Sequence, residues 1–265
     1  MKLLTEAGKE VVEFSGIMPN PTYAKVQEGA ALARERQVDF ILAAGGGSVI
    51  DCCKVISAQA VISQDIWSME YESGTFPTAG IPMGAVVTAS GTGAEMNSGA
   101  VITYEEKLWK GPIVRTGASF AVLDPANTAT VPPMQVLSGA FDTLSHAMET
   151  YLGTSDADNV SDDVALAVMR NTVINMRRLI DDINDMQARG NLMWDSAMAE
   201  NGILKVGRLS RFPGTSDGAS AGRIHRLQPR PGTCGDPSGL LQTYPERCGG
   251  KIHPFRKRSL RSGDC

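Results

Sequence analysis

No apolar run in this 265-residue chain approaches the roughly 20 residues that cross a bilayer as a helix, so no transmembrane helix is expected. The opening M-K-L-L-T-E-A-G-K-E lacks the long apolar centre and small-residue cleavage site of a secretory leader, which makes the cytoplasm the expected location. Five cysteines include no C-x-x-C pair and set up no disulfide framework; the adjacent Cys52 and Cys53 suit small packing residues better than metal ligands. Strong positive charge is also missing. A formal charge of -4 argues against nucleic acid as the main partner.

The chain is long enough, at 42% hydrophobic residues, to bury a sizeable core in one large or two smaller domains. Its charge is unevenly spread. From Leu209 onward there are 10 Lys plus Arg against 4 Asp plus Glu, with six of the 14 prolines, three of the five cysteines and two of the three histidines. The character of the sequence changes there.

The stretch around which the rest is organised is D-F-I-L-A-A-G-G-G-S-V-I-D-C-C-K, beginning at Asp39. Phe40 to Ala44 is a short continuous apolar run, as in a strand buried on both faces, and Gly45, Gly46 and Gly47 end it abruptly. A helix is expected at once, with Ser48 as its cap and Asp51 in its first turn. Glycines there let a pyrophosphate approach the backbone, and the unpaired N–H groups of the helix start would hold the anion. They serve a tight turn without a ligand equally well, and the spacing is neither G-x-G-x-x-G nor Walker A.

Upstream, Met1 to Gly16 reads as an amphipathic helix leading into a strand at Val11 to Phe14, and Thr22 caps a helix from Tyr23 to about Arg36. With the strand at Phe40 this forms a β-α-β unit. Downstream come a helix over 49 to 62, a loop-like region with Trp67 and Tyr71, and a strand from Ile81 to Thr88. That strand runs into A-S-G-T-G-A-E, where Thr88, Ser90 and Thr92 offer hydroxyls among Gly91 and Gly93 at a strand's carboxyl end. Open α/β sheets bind ligands there. A hairpin over Asn97 to Ile113 and a short strand from Phe120 to Leu123 follow.

Beyond Val131-Pro132-Pro133 only helical periodicity remains: Met134 to Gly153, Ser161 to about Ile183 and Met186 to about Val206. The first of these helices holds G-A-F-D-T-L-S-H-A-M-E-T-Y. Asp142 and His146 are four apart, so both side chains leave one helix face and could share a metal ion; Glu149 lies one turn further on. Such a pair is also common as a plain surface contact.

Taken together, these motifs resemble the iron-containing, or group III, alcohol dehydrogenases, over about Met1 to Gly207. W-D-S-A-M-A-E-N-G at Trp194 to Gly202 is nearest their butanol dehydrogenase branch. The resemblance implies an incomplete Rossmann-like α/β domain over 1–128 and the start of an all-α domain over 129–208, in a dehydroquinate synthase-like architecture. It implies that Gly45, Gly46, Gly47, Ser48 and Asp51 bind the pyrophosphate of NAD or NADP. Thr88, Thr92, Gly93 and Glu95 would contact the cofactor near its nicotinamide, with Ala94 standing where the family has Ser. Asp142 and His146 would be two of four ligands to a divalent metal, iron or zinc. The implied activity is the interconversion of a small primary alcohol and its aldehyde, in a family of homo-oligomers. A rival reading is a nucleotide-binding fragment without catalysis.

The family begins with a further strand–helix unit that distinguishes NAD from NADP, and Met1 enters after it. Its last two metal ligands are histidines just past the position of Gly202, where this sequence instead turns rich in Gly, Pro and Arg. Read one nucleotide later with permissible codons, the stretch from Asp217 encodes M-E-H-Q-L-G-A-Y-T-D-C-N-H-G, a string the family carries around its last ligand. Residues from about 209 to 265 are therefore expected to be a frameshifted, disordered tail, with His225 and His253 coincidental.

Overall fold

The computed structural model describes residues 2–113, 116–153 and 159–206. The expected tail, including His225 and His253, lies outside the described residues.

The first half is built on a parallel sheet. Strands β1 (Ile41–Gly45), β2 (Met83–Val87) and β5 (Phe120–Val122) pair in the order β1-β2-β5, with Ala43 opposite Ala85 and Ala85 opposite Ala121. A separate antiparallel hairpin joins β3 (Ala100–Tyr104) to β4 (Trp109–Ile113). Helix α1 (Lys2–Glu6) is short, and no strand forms at Val11 to Phe14, so the β-α-β unit expected to begin there is absent. Two β-branched residues and an aromatic are too weak a local preference without a neighbouring strand to pair with.

Helix α2 (Tyr23–Glu35) starts where expected, Thr22 Oγ1 accepting the Lys25 N–H at 3.2 Å, and buries Val26, Ala30 and Ala33. It packs on α3 (Gly47–Gln59), which contributes Cys52, Val55 and Ile56 to the same core. On its other side α3 covers the sheet through Ile50 and Cys53, against Ala43, Met83 and Ala85. The expectation that β1 is buried on both faces is corrected. Its exposure alternates, and Leu42 is 42% exposed on a face it shares with Phe120 and Val122. Phe40 and Phe120 stack on that face at 6.0 Å.

Trp67 and Tyr71 do not lie in open loop. A single π-helical turn, Ser68–Glu72, stacks their rings at 4.4 Å and sets both against Trp109 of the hairpin, while the Tyr71 hydroxyl donates to the Pro112 carbonyl.

The second half is helical, and among the described residues no strand follows β5. Helix α4 (Pro133–Leu152) opens on a proline at its first position, where no N–H is needed. Asn159 caps α5 (Val160–Asp181) and Asp185 caps α6 (Met186–Glu200), each accepting a backbone N–H within the first turn. α6 ends earlier than the expected Val206, because Gly202 is left-handed at φ 92°. The three helices pack together through Ala147, Ala165, Val168 and Ala199 near one end and Val136, Ala140, Leu179 and Leu192 near the other. Asp195 of α6 accepts hydrogen bonds from Asn171 and Thr172 of α5. Arg189, 3% exposed, donates to the carbonyls of Ile183 and Thr128, tying α6 to the turn that follows the sheet.

Candidate functional site

β1 ends at Gly45 and α3 begins at Gly47, with Gly46 between them as N-cap. Gly46 makes no side-chain cap, so Ser48 is not the cap expected of it; it stands inside the first turn, half-buried. The N-cap of α3 therefore supplies no side-chain acceptor to the first N–H groups of the helix. A Cβ on Gly45 would strike Val49, and one on Gly47 would strike the Thr92 hydroxyl. The glycines are thus needed for the turn itself and for the close approach of the second polar turn.

Asp51 faces away from this turn. Its Oδ2 accepts the Val101 N–H at 2.9 Å and its Oδ1 lies 3.5 Å from Lys54 Nζ, so it fastens α3 to the hairpin. Lys54 is fully buried and also donates to Asn97 Oδ1 and the Gly99 carbonyl at 2.9 and 2.7 Å. Burial pushes the Asp51 carboxyl up and the Lys54 ammonium down from their ordinary values, and each charge opposes the other's shift.

The second polar turn leaves β2 beside the first, the Thr88 N–H donating to the Gly45 carbonyl at 3.1 Å. It needs glycine at two points, with φ 146° at Gly91 and 55° at Gly93. Thr92, between them, is exposed, while Glu95 is buried and burial raises its pKa.

Two contacts lock this turn onto the helices. Gly91 and Gly139 of α4 touch backbone to backbone, a Cβ on Gly91 falling 2.9 Å from the Gly139 Cα. On α6, the buried Ser196 Oγ accepts the N–H groups of both Gly91 and Gly93, at 2.9 and 3.0 Å. Gly139 and Ser196 stand in the quoted G-A-F-D-T-L and W-D-S-A stretches respectively, but nothing in their spacing points to this contact, since only the fold brings α4 and α6 to this loop.

Asp142 and His146 do share one face of α4, with His146 Nε2 3.6 Å from Asp142 Oδ1. Glu149 is exposed and, among the described residues, accepts a long 3.5 Å bond from Ser145; it acts on His146 through its charge alone. The residue that joins the pair is Glu200, at the end of α6: its Oε1 lies 3.2 Å from His146 Nδ1. A Cβ on Gly93 would fall 2.8 Å from the Glu200 Cβ, so Glu200 spans the polar turn and the imidazole. It lies in the quoted W-D-S-A-M-A-E-N-G stretch, but nothing in its spacing pointed to His146. The His146 pKa is raised, first by Asp142 and further by the charge of Glu200, against the effect of burial.

A metal has a fitting start here in one oxygen and one nitrogen donor on a single helix face. Among the described residues, however, no three His, Cys, Asp or Glu side chains gather to hold an ion. No helix of the described residues is long and apolar enough to cross a membrane. The three clusters singled out from the sequence, the glycine turn, the polar turn and the α4 pair, are contiguous. Thr92 touches the first, and Gly91, Gly93 and Glu200 join the second to the third.

The family model for iron-containing alcohol dehydrogenase matches residues 1–125, and that for the C-terminal part of the Fe-containing alcohol dehydrogenase family matches residues 136–210. The probable NADH-dependent butanol dehydrogenase 1 of Bacillus subtilis is 36% identical over 208 residues, covering 77% of this chain and 53% of that protein. NADH-dependent butanol dehydrogenase A of Clostridium acetobutylicum is 37% identical over 208 residues, covering 78% and 53%. Among solved structures, NADH-dependent butanol dehydrogenase A of Thermotoga maritima superposes with a TM-score of 0.75 at 35% identity, over 79% of this chain and 52% of that one. The chain spans about half the length of the curated relatives it matches. In sequence and in its Rossmann-like fold followed by helices, this chain belongs to the iron-containing alcohol dehydrogenase family.

Proposed function

We propose that this chain carries the dinucleotide site and half of the metal site of an oxidoreductase that interconverts a small primary alcohol and its aldehyde. The observation that carries the reading is the contiguity of the glycine turn, the polar turn and the Asp142–His146 pair. A ligand lying across all three would place a phosphate at one end and a reacting carbon at the other.

Gly45, Gly46, Gly47 and Ser48 would cradle the pyrophosphate of NAD or NADP, the uncapped N–H groups of α3 supplying donors and the helix dipole supplying positive potential. Asp51 would act indirectly, by fixing α3 on the hairpin. Thr88, Thr92 and Gly93 line the second turn, where they would bound the nicotinamide end. Asp142 and His146 would hold the divalent metal, iron or zinc, and orient the substrate against the nicotinamide. When bound, the cofactor supplies hydride chemistry and the metal polarises the alcohol or carbonyl oxygen. Several relatives are named as NADH-dependent, whereas the aldehyde reductase YqhD of Escherichia coli, 35% identical over 206 residues, is named as NADPH-dependent. The family's two further ligands would fall past Gly202, largely outside the described residues.

Titration of NADH, followed by quenching of tryptophan emission, tests the reading. Saturable binding at one site per chain is expected. It should be lost in Ser48→Glu, which sets a carboxylate beside the pyrophosphate position while keeping all three glycines. Binding without reduction of a short aldehyde when zinc or iron is supplied would favour the non-catalytic reading. Absence of saturable binding would overturn both.

A further inference from the structure

The two ring nitrogens of His146 face different carboxylates. Nε2 looks along α4 to Asp142 Oδ1 at 3.6 Å, and Nδ1 looks across to Glu200 Oε1 at 3.2 Å. The first distance exceeds a hydrogen bond. It is, however, about the spacing of two donors on one tetrahedral ion with bonds of about 2.0–2.2 Å. The second is within hydrogen-bonding distance. Because the two nitrogens lie on different edges of the ring, an ion shared by Nε2 and Asp142 sits away from Glu200. Glu200 is therefore badly placed to be a ligand and well placed to orient one.

We propose that Glu200 is the positioning residue of His146: it accepts the Nδ1–H and thereby holds the imidazole in the tautomer whose Nε2 lone pair is free beside Asp142. Metal-bound histidines commonly donate their other N–H to a carboxylate, which fixes the ring and raises its basicity. Two features hold Glu200 to this task. Its side chain is only 14% exposed, at the end of α6 and packed against Gly93, and Lys205 Nζ lies 3.6 Å from its other oxygen. The lysine balances the carboxylate and leaves Oε1 for the imidazole. Glu200 thus links the polar turn to the metal pair mechanically, so that displacing one displaces the other. The inference rests on the reading of Asp142 and His146 as metal ligands.

Long-range proton–nitrogen NMR of the full chain labelled in its histidines reports the tautomer without metal or activity. The chain has three histidines, and loss of a signal in His146→Gln assigns the one concerned. In the neutral imidazole range the Nδ1–H form is expected for His146 in the parent chain and in Glu200→Gln, whose amide oxygen still accepts. Glu200→Ala should shift it toward the Nε2–H form. Titration with Co²⁺, followed by its visible absorption, should show affinity about 10–100-fold weaker in Glu200→Ala and close to the parent in Glu200→Gln. An Nε2–H tautomer in the parent chain overturns the proposal whether or not the variants fold. So does a tautomer and a Co²⁺ affinity both unmoved in a folded Glu200→Ala. If the tautomer behaves as expected and the parent chain takes up no Co²⁺, the positioning role stands and the metal assignment fails.

Discussion

Replacing Ser196 by alanine removes one oxygen and strands two donors. Its Oγ is the acceptor for the N–H groups of Gly91 and Gly93, at 2.9 and 3.0 Å, and Ser196 is 1% exposed. Leaving a buried donor without a partner costs about 1–3 kcal/mol. Thr92, between the two glycines, is exposed, so water can reach part of the turn and the lower half of that range applies. The expected loss is about 2–4 kcal/mol, a sizeable share of the roughly 5–15 kcal/mol that stabilises a typical domain. Urea unfolding followed by far-UV circular dichroism should show the midpoint falling by about 1 M or more, at about 1–3 kcal/mol per molar urea. Hydrogen exchange should accelerate selectively at the amides of Gly91 and Gly93. Ser145→Ala, which removes an exposed hydroxyl with only a long bond to Glu149, is the control and should stay within about 0.5 kcal/mol of the parent. A Ser196→Ala midpoint equal to that of the control, with exchange at the two glycines unchanged, would refute the view that α6 holds the polar turn.

Other outcomes follow from the same contacts. Gly139→Ala places a methyl against the Ser90 carbonyl, and a thermal melt should register a loss of about 1–3 kcal/mol from overpacking. Lys54→Met breaks the buried contact with Asp51 and removes a donor from Asn97, which keeps the Gly99 N–H, and from the carbonyl of the exposed Gly99. About 3 kcal/mol should be lost in urea titration, near the lower end for a broken buried pair, because Asp51 keeps the Val101 N–H. Burial pushes the thiols of Cys52 and Cys53 up to about 12. Raising the pH from neutral to mildly alkaline should therefore not speed their alkylation in the folded chain, whereas denaturant should, as read by peptide mass mapping.

Much of this fold was legible because its signals are local. The cap at Thr22, the glycine stop after β1, the alternation of the hairpin and the 3.6-residue period from Pro133 each act within a few residues; α2, β1 and α4 formed within a residue or two of expectation, whereas the hairpin starts at Ala100 and α6 stops at Glu200, well short of Val206. The misreadings came where a neighbour decides. Val11 to Phe14 has strand-forming residues and no strand to pair with. Phe40 to Ala44 has the apolar run of a doubly covered strand, yet no described residue covers its second face. Ser48 looked like a cap because the helix start was placed too late; α3 begins already at Gly47. Within the site, Asp142 and His146 were visible as an i, i+4 pair on one helix. Glu200 and Ser196 were not. They reach the site from a helix more than fifty residues further along the chain, and that meeting is a product of packing.

The central claim is that the metal pair faces the nicotinamide end of a dinucleotide held on the glycine turn. Paramagnetic broadening of bound NADH by Mn²⁺ measures it most directly. The account predicts that Mn²⁺ broadens the nicotinamide proton signals more than the adenine signals, and that the difference disappears in His146→Gln. Equal broadening at both ends, or selective broadening that survives His146→Gln, would contradict it.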